Sequence, residues 1–162
     1  PALATRSLES AIQRNPSFAP AHALLAQMLQ FSGRSDEALA RMKHAAQLGP
    51  GRYSAGLASV HFSRGEYDEA RVAIEDVLVS TPLYPFARAL AAASAFWAGD
   101  LARASEHASR LQHLVPGFSV DGFMTTFGAR IGPVERLAAA LEQLAALPMS
   151  PSTGTGSHPG SA

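Results

Sequence analysis

A proline and a glycine that each recur about every 34 residues constrain this chain more than any other feature. The prolines lie 34, 32 and 34 residues apart, at Pro16, Pro50, Pro82 and Pro116. The glycines follow in step, 32 and 34 residues apart, at Gly33, Gly65 and Gly99. A period of this length is typical of stacked repeats, in which each unit buries its apolar face against its neighbours. The chain is therefore predicted to be a row of similar units.

Each unit is predicted to be a pair of helices. Across residues 20–32, His22, Leu25 and Leu29 recur at the three- and four-residue spacing of one helix face. Glycine suits the end of that helix because it accepts a left-handed backbone. Ser35 is a candidate N-cap for the second helix, which Pro50 prevents from continuing. The same reasoning predicts helices over 20–32, 35–48, 54–64, 67–80, 86–98 and 101–114.

Small residues recur at fixed places in these pairs, and they predict close packing. Alanine where two helices cross lets their axes approach to the lower end of the roughly 8–10 Å range. Such alanines are found at Ala26, Ala38, Ala45, Ala58, Ala70, Ala92 and Ala104. Larger neighbours such as Leu25, Ile74 and Leu78 are expected to fill the remaining space. These positions are interpreted as structural.

Taken together, these residues resemble the tetratricopeptide repeat (TPR) family over about residues 1–116. The resemblance is carried by Ala26, Gly33, Ala38, Ala45 and Pro50 and their counterparts, by Gly-Glu-Tyr-Asp-Glu-Ala at 65–70, and by Gly-Asp-Leu at 99–101. It implies an all-α, right-handed solenoid of antiparallel helix pairs, the TPR superhelix. It also implies a non-catalytic scaffold for protein–protein interaction.

The predicted organisation is a solenoid over 1–147 followed by a tail. The solenoid divides into a half repeat (1–16), three repeats (17–50, 51–82 and 83–116) and capping helices (117–147), over 120–131 and 134–147. An atypical last pair is expected because a solenoid must cover its exposed end. Residues 148–162, rich in Pro, Ser, Gly and Thr, are predicted to be disordered.

Residues 1–14 match the second helix of a pair without its first. The chain also lacks an initiating Met. We therefore expect it to begin inside a repeat of a longer protein, with an open helix face that favours self-association. A weaker resemblance, carried by residues 15–21, 115–120 and 133–148, is to the C-terminal TPR regions of bacterial multidomain regulators of the nucleotide cyclase or winged-helix type. Two alternatives follow: a regulatory region of a larger bacterial signalling enzyme or transcription regulator, and a self-association module.

Composition argues against several other functions. The chain has no Cys, and 13 basic residues balance 13 acidic ones, so neither thiolate chemistry nor nucleic-acid binding is expected. No apolar run reaches the roughly 18 residues of a membrane span, and no secretory signal is visible, which favours a cytoplasmic location. The six His residues lack metal-binding spacing, and no nucleophile elbow is present. No catalytic, metal or cofactor site is predicted.

The resemblance to TPR proteins implies a partner-binding groove lined by the first helix of each pair. The groove residues it implies are Gln27, Gln30, Phe31, Arg52, Ser59, Phe62, Phe86, Ala93, Phe96 and Trp97. The groove is predicted to be apolar with a floor of small residues, which fits a partner helix or an extended apolar segment. Trp97 and Phe62 are the expected anchors, because aromatic residues are over-represented in binding hot spots. The alternative is that both simply pack against adjacent repeats.

Overall fold

The computed structural model describes residues 2–127 and 134–146, and within these ranges every regular element is an α-helix. The helices are α1 (Ala2–Arg14), α2 (Ala19–Phe31), α3 (Ser35–Leu48), α4 (Ser54–Arg64), α5 (Tyr67–Ser80), α6 (Pro85–Trp97), α7 (Leu101–Leu114), α8 (Val120–Phe127) and α9 (Val134–Ala146). Consecutive helices pack as pairs, α2 with α3, α4 with α5 and α6 with α7, and each pair stacks on the next. The predicted all-α solenoid is confirmed. No helix in the described ranges has the length and apolarity to cross a membrane.

The two helices of each pair are joined at a glycine whose backbone is left-handed. Gly33, Gly65 and Gly99 have φ angles of 76°, 78° and 86°. The residue after each glycine donates its N–H to a carbonyl five residues back, as Glu66 does to His61 at 3.0 Å. This Schellman arrangement satisfies carbonyls that the helix end leaves unpaired. The predicted role of the glycines is confirmed.

The expected N-cap at Ser35 is wrong. Helix α3 begins at Ser35, and its N-cap is Arg34, which makes no side-chain cap bond. The reason is the Schellman turn, which places the residue directly after the glycine at the cap position. Only where that residue is Asp100 does a side chain cap the helix, by accepting the N–H of Arg103 at 3.1 Å.

Alanine holds the pairs close together. All seven alanines expected at helix crossings are fully buried: Ala26, Ala38, Ala45, Ala58, Ala70, Ala92 and Ala104. The first pair forms one apolar cluster, and the second and third pairs form a larger one that also includes α9. Helix α4 belongs to both, through Val60 in the first cluster and Phe62 in the second. The stack is therefore continuous across its described length.

The last two helices depart from the repeat pattern. Helix α8 packs against α9, and α9 packs chiefly against α6 and to a lesser extent against α7. The helix predicted over 120–131 is observed from Val120 to Phe127, and the one predicted over 134–147 from Val134 to Ala146. Residues 128–131 of the first predicted helix lie outside the described residues. So do Leu147 of the second predicted helix and the tail predicted over 148–162.

Replacing Gly99 by Ala is expected to destabilise the protein by about 1–2 kcal/mol, because an L-residue is strained at positive φ. No other atom lies within 4 Å of the place a Cβ would take, so backbone strain is the whole cost. Urea denaturation measures the change. Gly99→Asn is the matched control and should cost less, since Asn tolerates this conformation. Equal costs for the two variants would contradict the explanation.

Candidate functional site

The inner face of the solenoid, formed by the first helices α2, α4 and α6, is partly covered by the chain itself. All ten residues from Phe86 to Ala95 of α6 are buried, whichever side of the helix they occupy. Helix α7 covers one side of α6 and α5 another, and α9 packs against the remainder. Helix α9 therefore packs on the helix that is expected to line the groove at the third pair.

Helix α9 is amphipathic, and its apolar side makes this contact. Leu137, Ala140, Leu141 and Leu144 are buried at the spacing of one helix face. They belong to the same apolar cluster as the alanines of α6, including Ala93. The small residues of α6 and the leucines of α9 thus pack in one apolar cluster.

Two side chains hold the start of α9 in place. Trp97 donates its indole N–H to the carbonyl of Arg136 at 2.9 Å, and its ring stacks on Tyr67 with centroids 6.2 Å apart. The Arg136 guanidinium donates to the Tyr67 hydroxyl at 2.9 Å and to the Ser63 carbonyl at 3.4 Å. Trp97 therefore binds a helix of its own chain, although 37% of it remains exposed.

Several of the predicted groove residues lie in the core. Phe62 is fully buried and packs edge-on against Tyr67, with centroids 5.5 Å apart, so it is not open to a partner in this structure. Its expected role as an anchor is corrected to core packing. Phe86 and Ala93 are buried as well, and Phe96 is partly buried against the same cluster.

The inner face stays open at the first two pairs, where it forms two recesses that share Gln30. The smaller, about 100 Å³, is lined by Gln27, Gln30, Ala55, Gly56, Ser59, Tyr84 and Phe86. The larger, about 460 Å³, is lined by Gln30, Phe31, Gly33, Ser35, Ser63, Val134, Glu135 and Arg136. Gln27, Gln30 and Ser59 thus line the smaller recess, Gln30 and Phe31 line the larger, and the first residues of α9 form one wall of the larger.

Small residues and hydrogen-bonded polar side chains line this open region, and the apolar groove expected here stays a prediction. The amide of Gln30 donates to the carbonyl of Ser59 at 3.1 Å, to its hydroxyl at 3.2 Å, and to the hydroxyl of Ser63. These bonds join α2 to α4. The large apolar side chain at the edge is Phe31, which is 54% exposed.

The two arginines near the groove do not line it. Arg52 is exposed in the turn between α3 and α4 and lines neither recess. Arg88 is buried, and desolvation lowers its pKa from the ordinary value. Its guanidinium donates to the Pro82 carbonyl at 3.2 Å and to Nδ1 of His107 at 3.2 Å. The other ring nitrogen of His107, Nε2, lies 3.1 Å from a carboxylate oxygen of Glu75. Arg88 therefore ties α5, α6 and α7 together.

A second His–carboxylate contact links the first and second pairs. His61 donates from Nδ1 to Glu66 at 2.6 Å, and Arg64 bonds the other Glu66 oxygen at 2.7 Å and also Asp36 of α3. Partial burial raises the pKa of Glu66, but the bonds from His61 and Arg64 outweigh it and hold that pKa below its ordinary value. This contact was not predicted from the sequence, although His61 and Glu66 lie on either side of the turn at Gly65, where their side chains can meet.

These contacts tie neighbouring elements of the stack together. Each histidine–carboxylate pair is tied to an arginine and lies in a different part of the stack. Among the residues in 2–127 and 134–146, no group of three His, Asp or Glu side chains is placed to hold a metal ion.

Comparison with known proteins identifies the fold. No protein-family model matches this sequence, and no curated protein does. Among solved structures, MamA is 15% identical with a TM-score of 0.66, covering 87% of this chain and 84% of its own. MamA 41-end from Desulfovibrio magneticus RS-1 is 16% identical with a TM-score of 0.68, covering 87% and 83%. The Yersinia enterocolitica type III secretion translocator chaperone SycD is 21% identical with a TM-score of 0.59, covering 80% and 95%. At these identities the likeness shows a shared fold.

Trp97→Phe is expected to loosen α9 at a cost of about 1 kcal/mol, because it keeps an aromatic ring on Tyr67 and removes the bond to the Arg136 carbonyl. Trp97→Ala removes the stacking as well and should cost more. Urea denaturation gives the stability, and hydrogen exchange over 134–146 reports the release of α9. Unchanged exchange in both variants would show that Trp97 does not hold the helix.

Glu66 is expected to make the protein less stable in acid. Because its folded-state pKa is lowered, its bonds contribute stability above the ordinary carboxyl value of 4.5, and this is lost as the pH falls through the folded-state pKa. Glu66→Gln should be less stable at neutral pH and lose less stability below pH 4.5. Urea denaturation across the pH range measures both. The control Glu142→Gln makes the same change at an exposed carboxylate of α9 and should keep the wild-type slope.

Proposed function

We propose that this chain is a non-catalytic protein-interaction module that binds a segment of a partner protein along the open inner face of α2 and α4. The observation that carries the proposal is α9 itself, an amphipathic helix already seated on the same face at α6. Because the stack already holds one amphipathic helix against α6, the neighbouring open surface of α2 and α4 can hold a segment of another protein.

The open region suits an extended segment that reaches the start of α9. Gln27 and Ser35 line the recesses with an amide and a hydroxyl group that can hydrogen-bond a peptide backbone, and Phe31 offers an exposed aromatic surface for an apolar side chain. The smaller recess admits only a small side chain, given its volume of about 100 Å³. SycD is a protein of similar fold and is a type III secretion translocator chaperone. Its likeness therefore supports the proposal that this chain binds a segment of another protein.

Self-association is a second candidate, favoured by α1. No side chain from Leu3 to Arg14 is buried, and Leu3 is 79% exposed, while only Leu8 and Ile12 pack onto the first apolar cluster. A second copy that lies on α1 would cover this surface.

The expected cytoplasmic location and the resemblance to bacterial regulators stay predictions.

A photo-crosslinking amino acid at position 31 tests the proposal. Introduced in place of Phe31 in living cells, it should form a covalent adduct with one partner protein, identified by mass spectrometry. The matched control is the same substitution at Leu24 of α2, which is 51% exposed, close to the 54% of Phe31, but lines neither recess. Purified partner should then bind Phe31→Ala about 30-fold or more weakly than wild type, the loss typical of a hot-spot residue.

Equal amounts of adduct from positions 31 and 24, or no adduct from either, would contradict the proposal that the partner binds at the inner face. A single adduct with a second copy of this chain would favour self-association instead. Because Phe31 is exposed, the Phe31→Ala variant should keep the wild-type stability, so lost binding would not reflect unfolding.

A further inference from the structure

A second surface lies away from the inner face, between α4 and α5, and we name it the outer groove. Its apolar floor is formed by Leu57, Val72 and Ala73, and its rim by three carboxylates, Asp68, Glu69 and Asp76. The groove has a volume of about 470 Å³ and shares no lining residue with the recesses of the inner face. Within this floor, Val72 remains 59% exposed.

The rim is poorly neutralised by the chain. Asp68 has a partner in Arg71 at 3.6 Å, a long contact between partly exposed groups. Glu69 and Asp76 make no ion pair within the part of the chain that the structure describes. The imidazole of His61, at the base of the groove, is bonded to Glu66. The groove therefore presents apolar surface surrounded by negative charge.

The other two pairs provide an internal comparison, because the turn glycines set a common register. Counted from that glycine, the position of Val72 is occupied by Ala40 in the first pair and by Glu106 in the third. Glu106 is neutralised by Arg110, which occupies the position of Asp76, at 2.7 Å. The position of Glu69 is held in the first pair by Glu37, paired with Arg34 at 2.6 Å.

The second pair thus differs in both respects. The first and third pairs place a small or charged residue at the Val72 position, and Glu37 and Glu106 have arginine partners in their own pairs. The second pair places an exposed valine beside Glu69 and Asp76, which make no such ion pair in the part of the chain that the structure describes. An exposed apolar side chain costs solvation free energy, and adjacent like charges repel, so neither feature stabilises the isolated fold. A bound partner would relieve both.

We propose that the outer groove docks a basic amphipathic segment of a partner protein. Its apolar side chains would cover Leu57, Val72 and Ala73, and its Lys or Arg side chains would pair with Glu69 and Asp76. Charge complementarity commits the site to a cationic occupant and disfavours the phosphates of nucleic acids and anionic lipids. The partner and the site are independent of the inner face.

The test uses a fluorescein-labelled amphipathic helix of Leu and Lys as the probe, with the same peptide carrying Glu in place of Lys as the reference. Fluorescence anisotropy with the full chain should show binding of the Lys probe only, weakening as salt is added. The decisive variant is Val72→Asp, which adds negative charge while removing the apolar contact. It should bind the probe about tenfold more weakly, whereas simple charge attraction would make it bind more tightly.

The matched control is Ala40→Asp, which places the same charge at the equivalent, exposed position of the first pair. It should bind the probe as wild type does. Glu69→Lys with Asp76→Lys should abolish binding, while Phe31→Ala should leave it intact, so failure here is distinct from failure at the inner face. Thermal unfolding checks that each variant is folded, and Val72→Ser replaces Val72→Asp if that variant is not.

Two outcomes would overturn the proposal. Equal or tighter binding by a folded Val72→Asp or Val72→Ser variant would show only a diffuse attraction between acids and lysines. Sedimentation that finds a wild-type dimer, dissociated by Val72→Asp but not by Ala40→Asp, would make a second copy of this chain the occupant.

Discussion

The covering of α6 is the interaction on which the arrangement of this molecule depends. From Phe86 to Ala95 the helix is apolar on every side apart from Arg88 and Ser94, and a helix of that kind must be enclosed. In a row of two-layer pairs, α5 and α7 enclose only part of it. Helix α9 completes the enclosure, and the Arg88 bonds to Pro82 and His107 satisfy the buried charge. The position of α9 follows from what α6 requires.

This requirement divides the inner face into two parts of different character. At the third pair the floor is alanine and the occupant is a leucine-rich helix. At the first two pairs the floor is the amide of Gln30 with serine oxygens, and the surface stays open. The bond from Trp97 to the Arg136 carbonyl lies at the boundary, beside the larger recess. A partner at the open part would therefore touch α9 without needing to displace it.

Much of the fold could be predicted because short-range rules decide it. Helices α4, α5 and α7 span the predicted residues, since a glycine or a proline lies within two residues of the end of each. The position of α9 could not be predicted, because an amphipathic face specifies that a helix is buried and not against which neighbour. The alanine-rich sequence of α6 did carry a signal, since a helix apolar on all sides needs an additional neighbour. Phe62 and Trp97 look alike in sequence, and only packing separates the buried ring from the half-exposed one.

A repeat protein also supplies its own reference for interpreting surface residues. Every pair packs in the same way, so the residues that stabilise the fold recur at equivalent positions. The buried alanines and the glycines with left-handed backbone are examples. Val72 and its neighbouring acids do not recur, and the stack does not need them, because the pairs on either side replace them with Ala40 or with a neutralised Glu106. Helix α6 also departs from the other first helices, because it is apolar on nearly every side. In this case the complementary surface is α9, which belongs to the same chain. An unmatched departure from the repeat therefore indicates a surface whose complement lies on another molecule.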